Sequence, residues 1–191
     1  MKLNQWWFFL PLKTAEPFLY LRMIVTETSI LLLSAAQINQ KIKRMAYEIL
    51  EANFGEKELI FAGICEQGEL LAKQLAKNLD EISSVKTTVT RIDLDKSHPF
   101  RQSHDSLNEE IKINNKVIIM VDDVLHTGKT IAYGLKPFLS AKIKKIEVAV
   151  LVDRSHTAFP IKATYIGYGL STTLSDNILV NLKGKKGVYL N

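Results

Sequence analysis

The feature that most constrains this chain is an unbroken apolar run, Val117, Ile118, Ile119, Met120 and Val121, closed by two adjacent carboxylates, Asp122 and Asp123. A strand with one wet face alternates polar and apolar residues. A short run without alternation predicts a strand buried on both faces, as in the middle of a parallel sheet. Such a sheet needs helical crossovers that cover its faces, so an α/β fold is expected. The acids fall where the strand should end, and ligands of open α/β sheets bind in the crevice beyond the carboxyl ends of the strands. Val124, Leu125, His126, Thr127, Gly128, Lys129 and Thr130 follow as a short turn before a helical pattern begins. Backbone N–H groups, two hydroxyls and the positive end of a helix dipole would make that turn a phosphate cradle. Carboxylates repel phosphate, so Asp122 and Asp123 suit hydroxyl groups and a metal ion instead. The alternative, a strand end whose acids simply face water, leaves the ordered succession of acids and cradle unexplained. Gly128, Lys129 and Thr130 do not complete a nucleoside-triphosphate P-loop, which needs glycine at position 123, where this chain has aspartate.

The rest of the chain supplies elements for such a sheet. Ile30, Leu31, Leu32 and Leu33 form a short strand or extended lead-in, and Ser34 with Gln37 makes a capping-box pattern. Ile38, Ile42, Met45 and Ile49 then recur at helical spacing, which predicts an amphipathic helix over residues 35–53, ended by Gly55. Residues 59–64 predict a second buried strand, followed by a turn of Cys65, Glu66, Gln67 and Gly68 and a helix carrying Leu71, Leu75 and Leu79. Residues 84–92 alternate as a strand. Residues 93–115, with His98, Pro99, Arg101 and His104, are polar and aperiodic, the mark of a lid or a disordered loop. A helix over 131–139 and an apolar strand over 146–152 complete the pattern.

A chain of 191 residues with 47% hydrophobic and 24% charged residues is expected to form one domain with a full core. Its one cysteine, Cys65, excludes an internal disulfide and a cysteine-cluster metal site, is expected to be a small buried hydrophobe, and fits a reducing, cytoplasmic location. A net charge of +5 permits nucleic-acid binding without requiring it. Lysines cluster at Lys142, Lys144 and Lys145 and at Lys183, Lys185 and Lys186, as solvated faces or as a binding patch. Residues 1–23 stand apart: Trp6, Trp7, Phe8, Phe9 and Leu10 are too few to span a membrane and no A-x-A cleavage site follows. They are expected to be an extension ahead of a domain over 24–191, with Met23 as the start, or else a partner-docking arm.

The order of residues 121–130, apolar strand, two acids, two apolar residues and x-T-G-x-T, resembles the 5-phosphoribosyl 1-pyrophosphate (PRPP) signature of the type I phosphoribosyltransferases. Val150, Leu151, Val152, Asp153, Arg154, Ser155 and His156, with Pro160 to Gly167 behind them, are similar to the pyrimidine-operon regulators that also act as uracil phosphoribosyltransferases. The likeness covers roughly residues 30–182. It implies the type I phosphoribosyltransferase fold, a mostly parallel central sheet flanked by helices with a small hood formed around Tyr165, Ile166 and Gly167 and around residues 178–182.

The resemblance also implies roles. Residues 124–130 would hold the 5′-phosphate of PRPP; Asp122 and Asp123 would take the ribose hydroxyls and steer Mg²⁺; Arg101 would be the charged contact from the lid. Tyr165 would stack on the base, and the Ile166 backbone would read the base edge. The 6-oxopurine enzymes carry aspartate at the place of His126, which points away from purines and mildly towards uracil, the alternative being a neutral residue on the rim of the site. Cys65, Glu66, Gln67 and Gly68 stand at the pyrophosphate loop, where the regulators carry two cationic side chains; here both are gone and an acid has appeared, which predicts weak or no transfer with retained nucleotide binding. Asp153 and Arg154 receive no catalytic role. The partners implied are PRPP, a pyrimidine base or nucleotide, mRNA for the regulatory class, and a second subunit in a dimer; no membrane is implied.

Overall fold

The computed structural model describes residues 29–94, 111–156, 158–171 and 176–191. Arg101, His98, His104 and the extension over 1–23 lie outside these residues. The elements in order are β1 (Ile30–Ser34), α1 (Ala35–Ala52), β2 (Glu58–Ile64), α2 (Cys65–Ile82), β3 (Lys86–Ile92), β4 (Val117–Leu125), α3 (Lys129–Gly134), a 3₁₀ turn (Lys136–Phe138), β5 (Lys145–Asp153), β6 (Tyr165–Gly169), β7 (Ile178–Asn181) and β8 (Gly187–Leu190).

Five strands form one parallel sheet in the order β3-β2-β4-β5-β6, so β4 lies in its centre. Residues 117–121 and 148–152 are buried on both sides, as their unbroken apolar character demands. Alternate side chains serve two cores. Phe61, Ile119, Val121 and Leu151 pack with Ile38, Ile42, Met45, Ile49, Leu71, Leu75 and Leu79 of α1 and α2. Ile60, Ala62, Ile118, Met120 and Val150 pack on the other face with Ile131 and Phe138. The expected cap of α1 is present: Gln37 N donates to Ser34 Oγ at 3.4 Å, and Ser34 N donates to Gln37 Oε1 at 2.9 Å. No helix among the described residues is long and apolar enough to cross a membrane.

A second, three-stranded antiparallel sheet in the order β1-β8-β7 is the hood. Its make-up corrects the sequence reading. Residues 165–169 belong instead to β6, the edge strand of the main sheet, paired in parallel with β5. The lead-in strand β1 and the C-terminal strand β8 supply the other hood strands, a pairing across most of the chain that no local pattern announces.

Two helix boundaries also differ. No turn separates β2 from α2, because Cys65 takes a left-handed conformation (φ 52°) and turns the chain in a single residue. The helix expected over 131–139 is only Lys129–Gly134, and Pro137, which lacks an N–H donor, leaves a 3₁₀ turn in its place.

Candidate functional site

Beyond the carboxyl end of β4 lies a cavity of about 160 Å³ lined by Asp122 and by residues 124–131. All seven residues of the expected cradle therefore lie together, and they do so because they are contiguous. Gly128 sits at φ 79°, a conformation open to glycine at little cost, and it is the residue that turns the chain into α3. Thr127 Oγ1 accepts from Lys129 N at 3.3 Å, and the Thr127 carbonyl accepts from Ala158 N at 2.9 Å and Phe159 N at 3.0 Å. The segment after β5 thus braces the turn from outside. Because α3 is only six residues long, any anion held here would depend on the turn's own N–H groups rather than on a long helix dipole.

Asp122 is 2% exposed and accepts from the Asp123 backbone N–H at 3.0 Å, while Asp123 is half-buried. Among the described residues no group of three or more His, Cys, Asp or Glu gathers as a metal site. Two carboxylates suit Mg²⁺, which takes much of its shell from water and from substrate phosphates.

His126 lines the same cavity, with its ring edge-on to His156 at 6.2 Å and its Nε2 buried without a hydrogen-bond partner among the described residues. Burial, then the positive charge of Arg154 and the nearby His156, holds its pKa below the usual histidine range. The unfolded chain therefore takes up this proton first as pH falls. The stabilising contribution is present above the ordinary value and lost as pH drops through the depressed one. Between about pH 7.5 and 5.5 the Tm of the parent should fall more steeply than that of His126→Gln, a difference that thermal scans at several pH values measure directly.

Cys65, Glu66, Gln67 and Gly68 are the first turn of α2, not a separate loop. That turn rests against the acid-bearing strand: a Cβ on Gly68 would come within 2.5 Å of the Val121 carbonyl oxygen and 3.4 Å of Asp122 Cα. Cys65 is half-buried, with Sγ donating to the Leu94 carbonyl at 3.2 Å. Glu66 is ion-paired with Lys183, whose ammonium holds the carboxyl below its usual range, and Gln67 Oε1 accepts from Leu182 N at 3.3 Å. The sequence reading missed these hood partners, and no local pattern marks them.

Tyr165 and Ile166 are not presented to the cradle as expected. Tyr165 is 3% exposed in the core beneath α1, donating its hydroxyl to Glu147 Oε2 at 2.9 Å and accepting from Asn53 Nδ2 at 3.1 Å. Burial and the Glu147 carboxylate push its phenol well above the usual range. The Ile166 carbonyl accepts from Arg44 Nη2 at 2.6 Å. Tyr165 cannot stack on a base in this arrangement, and the Ile166 carbonyl already has a partner. The lysine clusters are also partly consumed: Lys144 pairs with Glu56 at 2.5 Å, Lys145 with Glu147 at 3.0 Å, and Lys186 donates to Gln74 Oε1 at 3.1 Å.

Comparison with known proteins agrees with this geometry. A family model described as phosphoribosyl transferase domain matches residues 32–179. A protein of Fusobacterium nucleatum named bifunctional protein PyrR is 35% identical over 173 residues, covering 84% of this chain and 96% of its own length. Its namesake in Limosilactobacillus fermentum is 32% identical over 165 residues, covering 82% and 92%. Among solved structures, the hypoxanthine phosphoribosyltransferase of Trypanosoma cruzi superimposes with a TM-score of 0.68 at 14% identity, over 84% of this chain and 94% of that one. The hypoxanthine-guanine phosphoribosyltransferase of Bacillus anthracis gives 0.66 at 18%, over 83% and 95%. At such identities these two likenesses speak for the fold.

Proposed function

This chain belongs to the phosphoribosyl transferase family, and we propose that it transfers the ribose 5-phosphate of PRPP to a pyrimidine base, uracil, releasing pyrophosphate. The observation that carries the reading is the cavity formed by Asp122 and residues 124–131, with buried acid at one side and a glycine-opened turn at the other. Breaking the bond between the anomeric carbon and pyrophosphate leaves positive charge on the sugar and negative charge on the leaving group. The turn from His126 to Thr130 holds the 5′-phosphate through backbone N–H groups and the Thr127 and Thr130 hydroxyls, and Lys129 adds charge. Asp122 and Asp123 accept from the ribose hydroxyls, which fixes the sugar for attack. The same carboxylates are the residues that would hold Mg²⁺, which when bound with PRPP neutralises charge on the pyrophosphate.

Support for uracil is the likeness to the regulators across residues 150–167, together with His126 where the 6-oxopurine enzymes carry aspartate. PRPP and Mg²⁺ offered with a panel of bases, scored by pyrophosphate release, tests it. Uracil should turn over faster than hypoxanthine or guanine, and a faster purine reaction would overturn the assignment.

Glu66 favours a second reading, a low-turnover sensor of PRPP or nucleotide that regulates pyrimidine genes by binding mRNA. An acid in the first turn of α2 opposes an incoming polyanion. Slow pyrophosphate release with every base, beside salt-sensitive RNA binding, would support this reading.

A further inference from the structure

The first turn of α2 holds Cys65, Glu66, Gln67 and Gly68 and no cation, yet in the phosphoribosyl reading pyrophosphate must sit there. Tertiary structure brings one in. The hood turn after β7 is tied to α2 at three places: Leu182 N to Gln67 Oε1 at 3.3 Å, Lys183 Nζ to Glu66, and Lys186 Nζ to Gln74 Oε1 at 3.1 Å. Arg91 also acts on Glu66, but its guanidinium is engaged by Asp93 at 2.6 Å and Glu69 at 3.4 Å. Lys183 is differently placed. Its partner, Glu66, is 55% exposed and Lys183 itself 60% exposed, and an ion pair in such contact with water adds little to stability and exchanges readily.

We infer that Lys183 is the pyrophosphate-binding cation of this chain, held in place by Glu66 until PRPP arrives and then transferred from the carboxylate to the pyrophosphate oxygens. A pyrophosphate group carries more charge than a carboxylate and accepts more charge-assisted hydrogen bonds, so the exchange runs towards the substrate. The bonds from Leu182 and Lys186 keep the hood turn on α2 while the ammonium changes partner. Glu66 then has two effects of opposite sign: it positions Lys183 and it competes for it. This inference rests on the phosphoribosyl reading of the cradle, and its test keeps the two apart.

Calorimetry of the full chain with PRPP and Mg²⁺, and separately with uridine 5′-monophosphate, compares the parent with Lys183→Met, Lys183→Arg and Glu66→Gln. Lys183→Met should weaken PRPP binding by at least about tenfold, with the monophosphate, which lacks pyrophosphate, changed by less than about twofold. Lys183→Arg should restore most of the loss. Glu66→Gln should tighten PRPP binding, because it removes the competitor. A latch with only a structural role would be broken equally by Lys183→Met and Glu66→Gln. Shifts of the same sign, or equal losses for both ligands, therefore overturn the inference, as does unchanged PRPP affinity in Lys183→Met. A parent that binds the monophosphate or nothing, and never PRPP, overturns the phosphoribosyl reading itself.

Discussion

Gly128→Val should cost at least about 100-fold in affinity for PRPP and for uridine 5′-monophosphate, equivalent to roughly 2.7 kcal/mol, while leaving a folded protein. Two effects combine. Gly128 lies at φ 79°, where a β-branched residue costs about 1–2 kcal/mol. A Cβ there would also stand 3.0 Å from Ile161 Cβ and 3.5 Å from Phe159 Cβ, the segment that braces the turn. The chain can relieve the strain by swinging to negative φ, but that rearranges the backbone of the turn that lines the cavity. Either response disrupts the proposed phosphate site. Gly55 is the control, since it has φ 87° with nothing within 4 Å of a Cβ and lies far along the chain from the cradle. Gly55→Val carries the same backbone strain and should leave binding intact, so a comparison by calorimetry separates strain from site. Unchanged affinity in folded Gly128→Val would remove the basis for a phosphate cradle.

The largest loss of stability is expected from Gly63→Val. Gly63 lies in β2, and a Cβ there would fall 2.4 Å from Glu69 Cα, 2.5 Å from Glu69 N and 2.7 Å from the Gly68 carbonyl carbon. All three are backbone atoms, which cannot rotate aside, so α2 must lift from the sheet. Overpacking of this kind costs roughly 3 kcal/mol, which in a domain of this size lowers Tm by about 10 °C. The first turn of α2, resting on Val121 and Asp122, would move with the helix and take with it the subsite proposed for pyrophosphate. Gly169→Val, at an edge strand with nothing within 4 Å, should shift Tm by no more than a couple of degrees. Thermal scans of the two variants decide the point, and a Gly63→Val protein as stable as Gly169→Val would refute the close approach.

Both predictions concern glycines at junctions, and these are also where tertiary structure added most. Features that depend on neighbours a few residues apart could be read from the chain directly. The apolar run of β4 needs two covered faces, the spacing of Ile38, Ile42, Met45 and Ile49 makes a helix, and Ser34 with Gln37 caps it. That residues 124–130 line one cavity was legible for the same reason, since they meet through one turn of continuous chain. Contacts between distant segments were not. Tyr165 resembles a base-stacking residue in its motif, yet strand parity in β6 points it under α1, against Asn53 and Glu147. The Ile166 carbonyl, on the edge strand β6, accepts from Arg44 of α1. Only the folded chain joins β1 to β8 in the hood and sets Lys183 on Glu66, 117 residues away. A loop turned by neighbouring residues carries its geometry in its own sequence, but which charge meets a distant acid depends on how whole elements pack, and packing is satisfied by shape and burial with no trace in local pattern.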